Sequence, residues 1–340
     1  KTAVERIKAA GYNAVMPYST ATMTLDADGV KPRTIECLKR GLDYMHANGL
    51  KVIFCLKEQL QNGIMEFDGV KGRIELSEHI VRNLKRHPAI LLWYITDENP
   101  LHEIPHAIDF RHRISAIDPY HPVLTCTDVF RNQFHFAQTG DVLDPDCYPI
   151  EKKGPHSMAK IRSHLTQDTG LPLYFAAQAF NWGAFAAEGE YEQFSYPTAE
   201  EMRSMGLLAL NGGVRGLTYF SYTTALIRHE MFDPGSFTWF WPQVVSVVQF
   251  MREMAPFFIT TTPSQPISVT STGDSFVEAK LHRNGDRVCV IVTADGPGVA
   301  KATFRLPNGI DLKPRFGHTV KNADGSFTFT GTDICSDVLE

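Results

Sequence analysis

The sequence predicts an α/β protein consisting of a (β/α)8 barrel, the TIM-barrel fold, followed by a small antiparallel β-sandwich. Two observations predict it. Over the first two thirds of the 340 residues, short apolar segments alternate with amphipathic segments, which is the pattern of a parallel sheet covered by helices. From about residue 266 the pattern changes to alternating apolar and polar residues between turn signals, which is typical of antiparallel strands.

Strand segments recur through the first part, and most of the segments between them are long enough for a crossover helix. Pro88 ends one such helix just before the strand that starts at residue 90. Only the connection between residues 126 and 141 is too short for a full crossover helix. The predicted strand segments are 12–18, 50–58, 90–98, 121–126, 141–149, 171–180 and 214–224.

These segments are one short of the eight strands of a barrel, and the sequence begins in a helical pattern that would normally follow a strand. We therefore expect the first strand to lie upstream of Lys1. The alternative layout, an open doubly wound sheet, should carry a glycine-rich phosphate turn after an early strand, and none is present. The expected domains are a barrel over residues 1–262 and a sandwich over residues 266–340, with Pro263 and Pro266 at the junction.

Composition argues against several classes of partner. A formal net charge of -5, a pI near 6.2 and the lack of any run of Lys and Arg argue against nucleic acid and an electrostatic membrane anchor. No apolar stretch approaches the roughly 18 residues of a membrane span, and no signal-peptide layout is visible. The cysteines form no CxxC pair, so we expect buried free thiols, although their even number permits disulfides. They are Cys37, Cys55, Cys126, Cys147, Cys289 and Cys335.

The predicted strands end in an unusual number of polar and aromatic residues. In a (β/α)8 barrel the active site lies at the carboxyl ends of the strands, so residues there are the first candidates for function. The clearest example is the segment ILLWYITDENP, residues 90–100, in which an apolar strand ends in two carboxylates. The strand-end candidates are Tyr18, Glu58, Asp97, Glu98, Asp146, Tyr148, Gln178, Asn181, Trp182 and Tyr222.

WYITDEN together with the later QAFNW resembles the large clan of glycoside hydrolases built on (β/α)8 barrels. In that clan the fourth strand ends in Asn-Glu and supplies the catalytic acid/base, and the seventh supplies a nucleophilic Glu. Counting the missing strand as first, the resemblance makes Glu98 the acid/base and puts Gln178 at the nucleophile position. It implies cleavage of O-glycosidic bonds in an oligo- or polysaccharide, a carbohydrate as substrate partner, no cofactor, and a secreted or periplasmic location.

Two departures from that pattern matter. Asp97 stands where the clan has Asn, and Gln178 stands where it has Glu. An amide cannot act as the second carboxylate that glycosidic cleavage needs. Three alternatives follow: another acid supplies the carboxylate, the enzyme inverts with a more distant base, or the barrel is catalytically silent and only binds carbohydrate. The alternative acids are Glu58, Asp146, Glu188, Glu190, Glu192, Glu230 and Asp233.

The catalytic candidates are Glu98, Asp97, Glu58 and Asp146. Glu98 is the predicted general acid, with a pKa raised by burial and by like-charged Asp97. The sugar-binding candidates share an aromatic ring or an amide at a strand end, because pyranose rings present apolar C–H faces. They are Tyr18, Tyr148, Gln178, Asn181, Trp182 and Tyr222. Trp239 and Trp241 are candidates for a further wall of the sugar site, whereas Trp93 is expected in the core.

A metal-dependent barrel hydrolase is a more distant alternative. The sequence has no HExxH motif and no HxH after the early strand, so no metal site is expected. His102 and His106 have helical i, i+4 spacing but are expected to face solvent. Nucleophilic serine chemistry lacks its GxSxG elbow.

Overall fold

The computed structural model describes residues 2–18, 25–26, 29–30, 33–57, 66–129, 131, 133–307 and 310–340. The chain divides into two units. The first unit comprises Lys1–Pro145 with Gln167–Pro172, and the second comprises Asp146–Thr166 with Leu173–Glu340.

The first unit is built on a five-stranded parallel sheet. Its strands lie in the order β1-β4-β7-β8-β9, and the short hairpins β2-β3 and β5-β6 lie in the connections. Sequential order in a parallel sheet is what repeated right-handed βαβ crossovers produce. The strands are β1 Ala14–Val15, β2 Leu25–Asp26, β3 Gly29–Val30, β4 Lys51–Cys55, β5 Glu66–Phe67, β6 Val70–Lys71, β7 Ile90–Asp97, β8 Val123–Thr127 and β9 Val142–Pro145.

Local sequence explains where the helices of the first unit begin and end. Thr2 and Glu5 form a reciprocal capping box at the first helix, and Gly11, with φ +107°, ends it. The short connection before residue 141 holds only one helical turn, as its length predicts. The helices are α1 Ala3–Ala10, α2 Ile35–Ala47, α3 Arg73–Leu84, α4 Ile104–Ile117 and α5 Gln133–Phe136.

The core of the first unit lies between this sheet and its helices. Trp93 is fully buried, as predicted, with its ring centre 5.5 Å from that of Phe54. Its indole N–H donates to Asp118 at 2.9 Å, so the one polar atom of the side chain is satisfied. Leu38 on α2 and Leu84 on α3 are also fully buried in this cluster.

The second unit contains a parallel pair of strands, several helices and an antiparallel sheet. Strands β10, Tyr174–Gln178, and β11, Gly216–Phe220, pair in parallel, and Asp146 forms a parallel bridge with Ala176. A 3-10 helix at Trp182–Phe185 follows β10. The α-helices are α6 Ala159–Leu165, α7 Ala199–Asn211 and α8 Ser236–Ile259.

The C-terminal strands form one six-stranded antiparallel sheet where the sequence predicted a small sandwich. The order is β12-β14-β15-β17-β16, and β13 also pairs with β15. Two tight hairpins join neighbouring strands of this sheet: Asn284 pairs with Arg287, and Lys321 pairs with Phe327. The strands are β12 Gln265–Ile267, β13 Val269–Ser271, β14 Val277–Asn284, β15 Arg287–Phe304, β16 Thr319–Lys321 and β17 Phe327–Leu339.

All seven strand segments predicted before residue 265 contain a parallel strand or bridge in the described part of the chain. The six cysteines are buried and none is in a disulfide, which confirms the prediction of buried thiols. Among the described helices, none is both long and apolar enough to cross a membrane.

Candidate functional site

Asp97 ends strand β7, and its carboxylate accepts hydrogen bonds from neighbouring side chains. Tyr18 donates at 2.6 Å, and Tyr94 and Lys57 also donate. Lys57 is 3% exposed, and its ammonium lies 3.2 Å from the centre of the Tyr18 ring. Burial opposes ionisation of Asp97, but Lys57 and the two hydroxyls lower the pKa of Asp97. Asp97 is therefore a carboxylate at neutral pH that serves as an acceptor within the first unit.

Glu98 is exposed and adopts a left-handed backbone conformation, with φ +52°. For a residue with a side chain this conformation costs about 1 kcal/mol or more, and such strain is concentrated at functional sites. Neighbouring contacts hold it: the Glu98 N–H donates to Cys126 O at 3.2 Å, and Asn99 Oδ1 accepts from the Asp97 N–H at 3.1 Å.

The predicted burial of Glu98 is wrong. The reason is the left-handed turn, which begins where β7 ends at Asp97, so that Glu98 does not continue the buried strand. Exposure suits a general acid, because a group that protonates a substrate must be reachable from solvent.

Asp144, on β9, is a buried carboxyl group that the sequence analysis missed. Cys126 pairs with Asp97 on one side and with Asp144 on the other, so the three residues form one row across β7, β8 and β9. Asp144 is 1% exposed, and neither carboxyl oxygen has a hydrogen-bond partner among the described residues. Burial, and secondly the charge of Asp97, raises the pKa of Asp144 to about 8. Asp144 is thus a neutral carboxylic acid at pH 7.

We expect Asp144→Asn to stabilise the protein at pH 7.5 by about 1 to 3 kcal/mol, measured by urea unfolding. Between about pH 4 and pH 8 the unfolded chain has lost the proton of Asp144, while the folded protein retains it. Wild-type stability therefore falls as pH rises through that window, and the advantage of the amide grows. Exposed Asp128, changed to Asn, is the matched control. An advantage that does not change between pH 4 and pH 7.5 contradicts the assignment.

The remaining predicted residues of the first unit are Tyr18 and Glu58. Tyr18 is 41% exposed, and its hydroxyl is the donor to Asp97 described above. Burial and the charge of Asp97 raise the pKa of Tyr18, so its hydroxyl stays protonated as the donor. Glu58 lies outside the described residues.

Gln178 ends strand β10 and is fully buried. Its carbonyl oxygen accepts from the Ile150 N–H at 2.9 Å, and its amide donates to Ile150 O at 2.7 Å and Phe180 O at 3.0 Å. Both amide hydrogens are used, which only an amide at this position can achieve. Gln178 therefore fixes two backbone segments of the second unit.

We expect Gln178→Glu to lower the free energy of unfolding by about 2 to 4 kcal/mol and to add no hydrolytic activity. A carboxylate cannot donate to Ile150 O and Phe180 O, so oxygens would face oxygens in a buried space. Gln178→Met, which removes the bonds without adding a charge, is the matched control for unfolding. A stable Gln178→Glu protein with increased hydrolysis would instead identify position 178 as a lost nucleophile.

Aromatic rings surround the end of β10. We call the cluster of Tyr148, Phe180, Trp182, Phe185 and Phe220 the aromatic platform. The ring centre of Trp182 lies 6.0 Å from that of Tyr148 and 5.0 Å from that of Phe180, both with edge-to-face geometry. The Trp182 indole donates to Tyr148 O at 3.1 Å, and both side chains are partly exposed. Such a cluster can present a ring face to a sugar while its polar edge stays satisfied.

The other candidates of the second unit are placed differently. Asn181 is buried, and its Oδ1 accepts from the Gly183 N–H at 2.8 Å, which caps the following 3-10 helix. Asp146 is 5% exposed. Tyr222 packs edge-to-face on Trp241, with ring centres 5.1 Å apart. Trp239 is 45% exposed.

The acids after β10 and β11 have no common arrangement. Glu230 accepts hydrogen bonds from the Phe237 and Gly235 N–H groups, and these bonds lower the pKa of Glu230. It therefore caps the start of α8. Asp233 accepts from Tyr196 at 3.3 Å. Three further acids, on the loop after β10, are exposed: Glu188, Glu190 and Glu192.

Metal binding would need several ligating side chains close together. Within the described ranges, no three or more His, Cys, Asp or Glu side chains are grouped so as to hold a metal ion. His102 and His106 are both exposed near the start of α4, as predicted.

Comparison with known proteins gives similarity of fold at low sequence identity. No protein-family model matches the chain, and no curated protein matches it. A glycoside hydrolase structure is 12% identical, with a TM-score of 0.63 over 99% of this chain and 86% of the other. A debranching enzyme from Nostoc punctiforme is 14% identical, with a TM-score of 0.55 over 99% and 87%.

A maltogenic alpha-amylase from Thermotoga neapolitana is 12% identical, with a TM-score of 0.54 over 99% of this chain and 93% of the other. At these identities the likeness concerns the fold, and it extends over nearly the whole chain. The protein therefore shares the overall fold of glycoside hydrolases of the alpha-amylase type.

Proposed function

We propose that the protein is a glycoside hydrolase that cleaves O-glycosidic bonds of an oligo- or polysaccharide, with Glu98 as general acid. The observation that carries the proposal is the end of β7. There an exposed glutamate is held in a strained conformation beside a carboxylate that three donors keep ionised. The fold shared with known glycoside hydrolases supports it.

The proposed architecture is a (β/α)8 barrel over residues 1–262 with a C-terminal β-sandwich over residues 266–340. The sequential parallel order β1-β4-β7-β8-β9 and the parallel pair β10-β11 support the barrel. The bulge in β15 between Asp295 and Val299, which can bend the six-stranded sheet, supports the sandwich.

In this proposal Glu98 protonates the oxygen of the leaving sugar. Asp97 does not share that task, because its pKa is lowered and its oxygens accept hydrogen bonds from Lys57, Tyr18 and Tyr94. Its negative charge instead favours the protonated form of a neighbouring acid. Glu58 and Asp146 are the proposed sources of the second carboxylate.

The second unit contributes sugar recognition in this proposal. Trp182 and Tyr148 of the aromatic platform are partly exposed, and the Trp182 indole N–H is bonded to Tyr148 O, which suits stacking on the C–H face of a pyranose. Tyr18, Asn181 and Tyr222 are the other proposed sugar contacts. Gln178 holds the backbone of Ile150 and Phe180, the latter a member of the aromatic platform.

The test is a hydrolysis screen with the full chain. Aryl α- and β-glycosides, starch, xylan and β-glucans are incubated with the wild type, and reducing ends are measured. The substrates include α-glucans because three structures similar to this chain were solved with acarbose or maltose. We expect cleavage of at least one class, with proton NMR of the first product showing retention or inversion. Sugar binding without cleavage would point to a silent barrel, and activity removed by EDTA and restored by Zn²⁺ to a metal-dependent hydrolase.

A further inference from the structure

The segment Ala179–Ala184, which carries Trp182, is fixed by hydrogen bonds along its length. The Ala179 N–H donates to Phe220 O at 2.8 Å, and the Ala184 N–H donates to Asn181 O at 3.1 Å. The Asn181 N–H donates to Nε2 of His229 at 3.0 Å. Asn181 directly precedes Trp182 in the sequence, and the acceptor of its N–H is a titratable side chain.

The proton position on His229 follows from its two partners. Because Nε2 accepts from a backbone N–H, it carries no proton, so the proton of the neutral ring lies on Nδ1. Nδ1 is 3.1 Å from the hydroxyl of Tyr191 and is the donor there. The side chain is fully buried, and burial, with the charge of Arg228, lowers the pKa of His229 to about 4. The ring is therefore neutral at pH 7, in a single tautomer.

The hydrogen bonds continue beyond His229. Tyr191 is bonded to the hydroxyl of Tyr196, which donates to Oδ2 of Asp233 at 3.3 Å. The Asp233 carboxylate can only accept, so Tyr196 donates to it. Tyr191 in turn donates to Tyr196, and His229 donates to Tyr191. The ring of Tyr191 also stacks on Phe232, with centres 5.4 Å apart. We call His229, Tyr191, Tyr196 and Asp233 the His229 chain.

We propose that His229 is a positioning residue that holds the Phe180–Asn181 peptide, directly before Trp182, so that Trp182 presents a fixed ring face to a sugar. The two tyrosines and Asp233 keep the tautomer that this contact requires. His229 is buried, so it acts through Trp182. The effect on sugar binding rests on the proposed function, whereas the placement of Trp182 does not.

The effect is expected in binding because an ordered aromatic face binds a ligand more tightly than a mobile one. A loosened Trp182 has to be ordered when the sugar binds, and that ordering costs free energy. Loss of one neutral hydrogen bond corresponds to about a fivefold to tenfold change in affinity. Acid chemistry at Glu98 uses none of these groups, so kcat is expected to change little.

The first experiment labels the full chain with 5-fluorotryptophan and records its fluorine NMR spectrum. Trp182→Phe identifies the Trp182 resonance among the four tryptophans. We expect His229→Leu to shift or broaden that resonance and to leave Trp93, in the first unit, unchanged. His229→Gln, whose Oε1 can accept from the Asn181 N–H, should restore it. An unchanged Trp182 resonance in His229→Leu overturns the proposal.

The second experiment measures kinetics on a substrate that the wild type hydrolyses in the screen. We expect His229→Leu to raise KM about fivefold to tenfold with kcat within about twofold, and His229→Gln to recover most of the loss. A lower kcat at unchanged KM overturns the proposal.

Should His229→Leu fail to fold, Tyr196→Phe, which keeps the ring and removes the donor to Asp233, is expected to act in the same direction. If the wild type hydrolyses nothing, the proposed function fails, and the NMR result still decides the role of His229.

Discussion

Replacing Glu98 by Gln is expected to lower kcat/KM for unactivated glycosides by about 10²- to 10⁴-fold. An amide keeps the size of the side chain and cannot give up a proton to the leaving oxygen. Because Glu98 is exposed, the free energy of unfolding should change by no more than about 0.5 kcal/mol. Initial rates and urea unfolding of the same preparations measure the two effects.

Leaving groups of different acidity make this prediction specific to an acid. A 2,4-dinitrophenolate departs without protonation, so Glu98→Gln should lose far less on that glycoside than on a methyl glycoside. Exposed Glu36 on α2, changed to Gln, is the control and should retain full activity. Equal losses on both substrates would show that Glu98 acts in another way, and no loss on either would remove it from the mechanism.

Replacing Asp97 by Asn is expected to lower the free energy of unfolding by about 3 to 5 kcal/mol. The change leaves the ammonium of Lys57, which is 3% exposed, without its carboxylate. Since the pKa of Asp97 is lowered in the folded protein, the contribution is present above about pH 4 and is lost as pH falls. The difference between the proteins should therefore shrink in acid, as urea unfolding at several pH values will show.

A double-mutant cycle with Lys57→Met completes the test. Met fills the space of the lysine stem without a charge, so the double variant should be more stable than Asp97→Asn alone. Lys51→Met, at the exposed first position of β4, controls for the substitution itself. Additive losses in the cycle would show that Lys57 and Asp97 do not stabilise each other.

The parallel strands could be predicted from the sequence because each is a short apolar run between helix-ending and turn residues. The two hairpins were predictable for a similar local reason, since Asn284-Gly285 and Asp324-Gly325 favour tight turns. The first and last residues of the strands were harder to predict from the sequence. β1 is only Ala14–Val15 within the predicted 12–18, because pairing with β4 decides its length.

The candidate site could be predicted from the sequence only in part. A polar residue at a strand end indicates a functional site in general, and this pattern identified Glu98 and Asp97 as candidates. It could not separate them, because two of the donors to Asp97, Tyr18 and Lys57, are distant in the sequence, 40 residues away in the case of Lys57. Asp144 was missed because its burial depends on neighbouring strands. Gln178 was interpreted as facing substrate, whereas its amide satisfies backbone groups of Ile150 and Phe180.

The C-terminal sheet is tied to the helices of its own unit by charged groups, and this limits how the protein can be recombined with others. Arg162 on α6 pairs with Glu278 and Asp295, and Asn211 on α7 donates to Glu278 at 3.0 Å. A chimaera that exchanged only residues 266–340 would leave Arg162 facing unmatched partners. Crossover points for swapping this sheet between homologues therefore have to carry α6 and α7 with it.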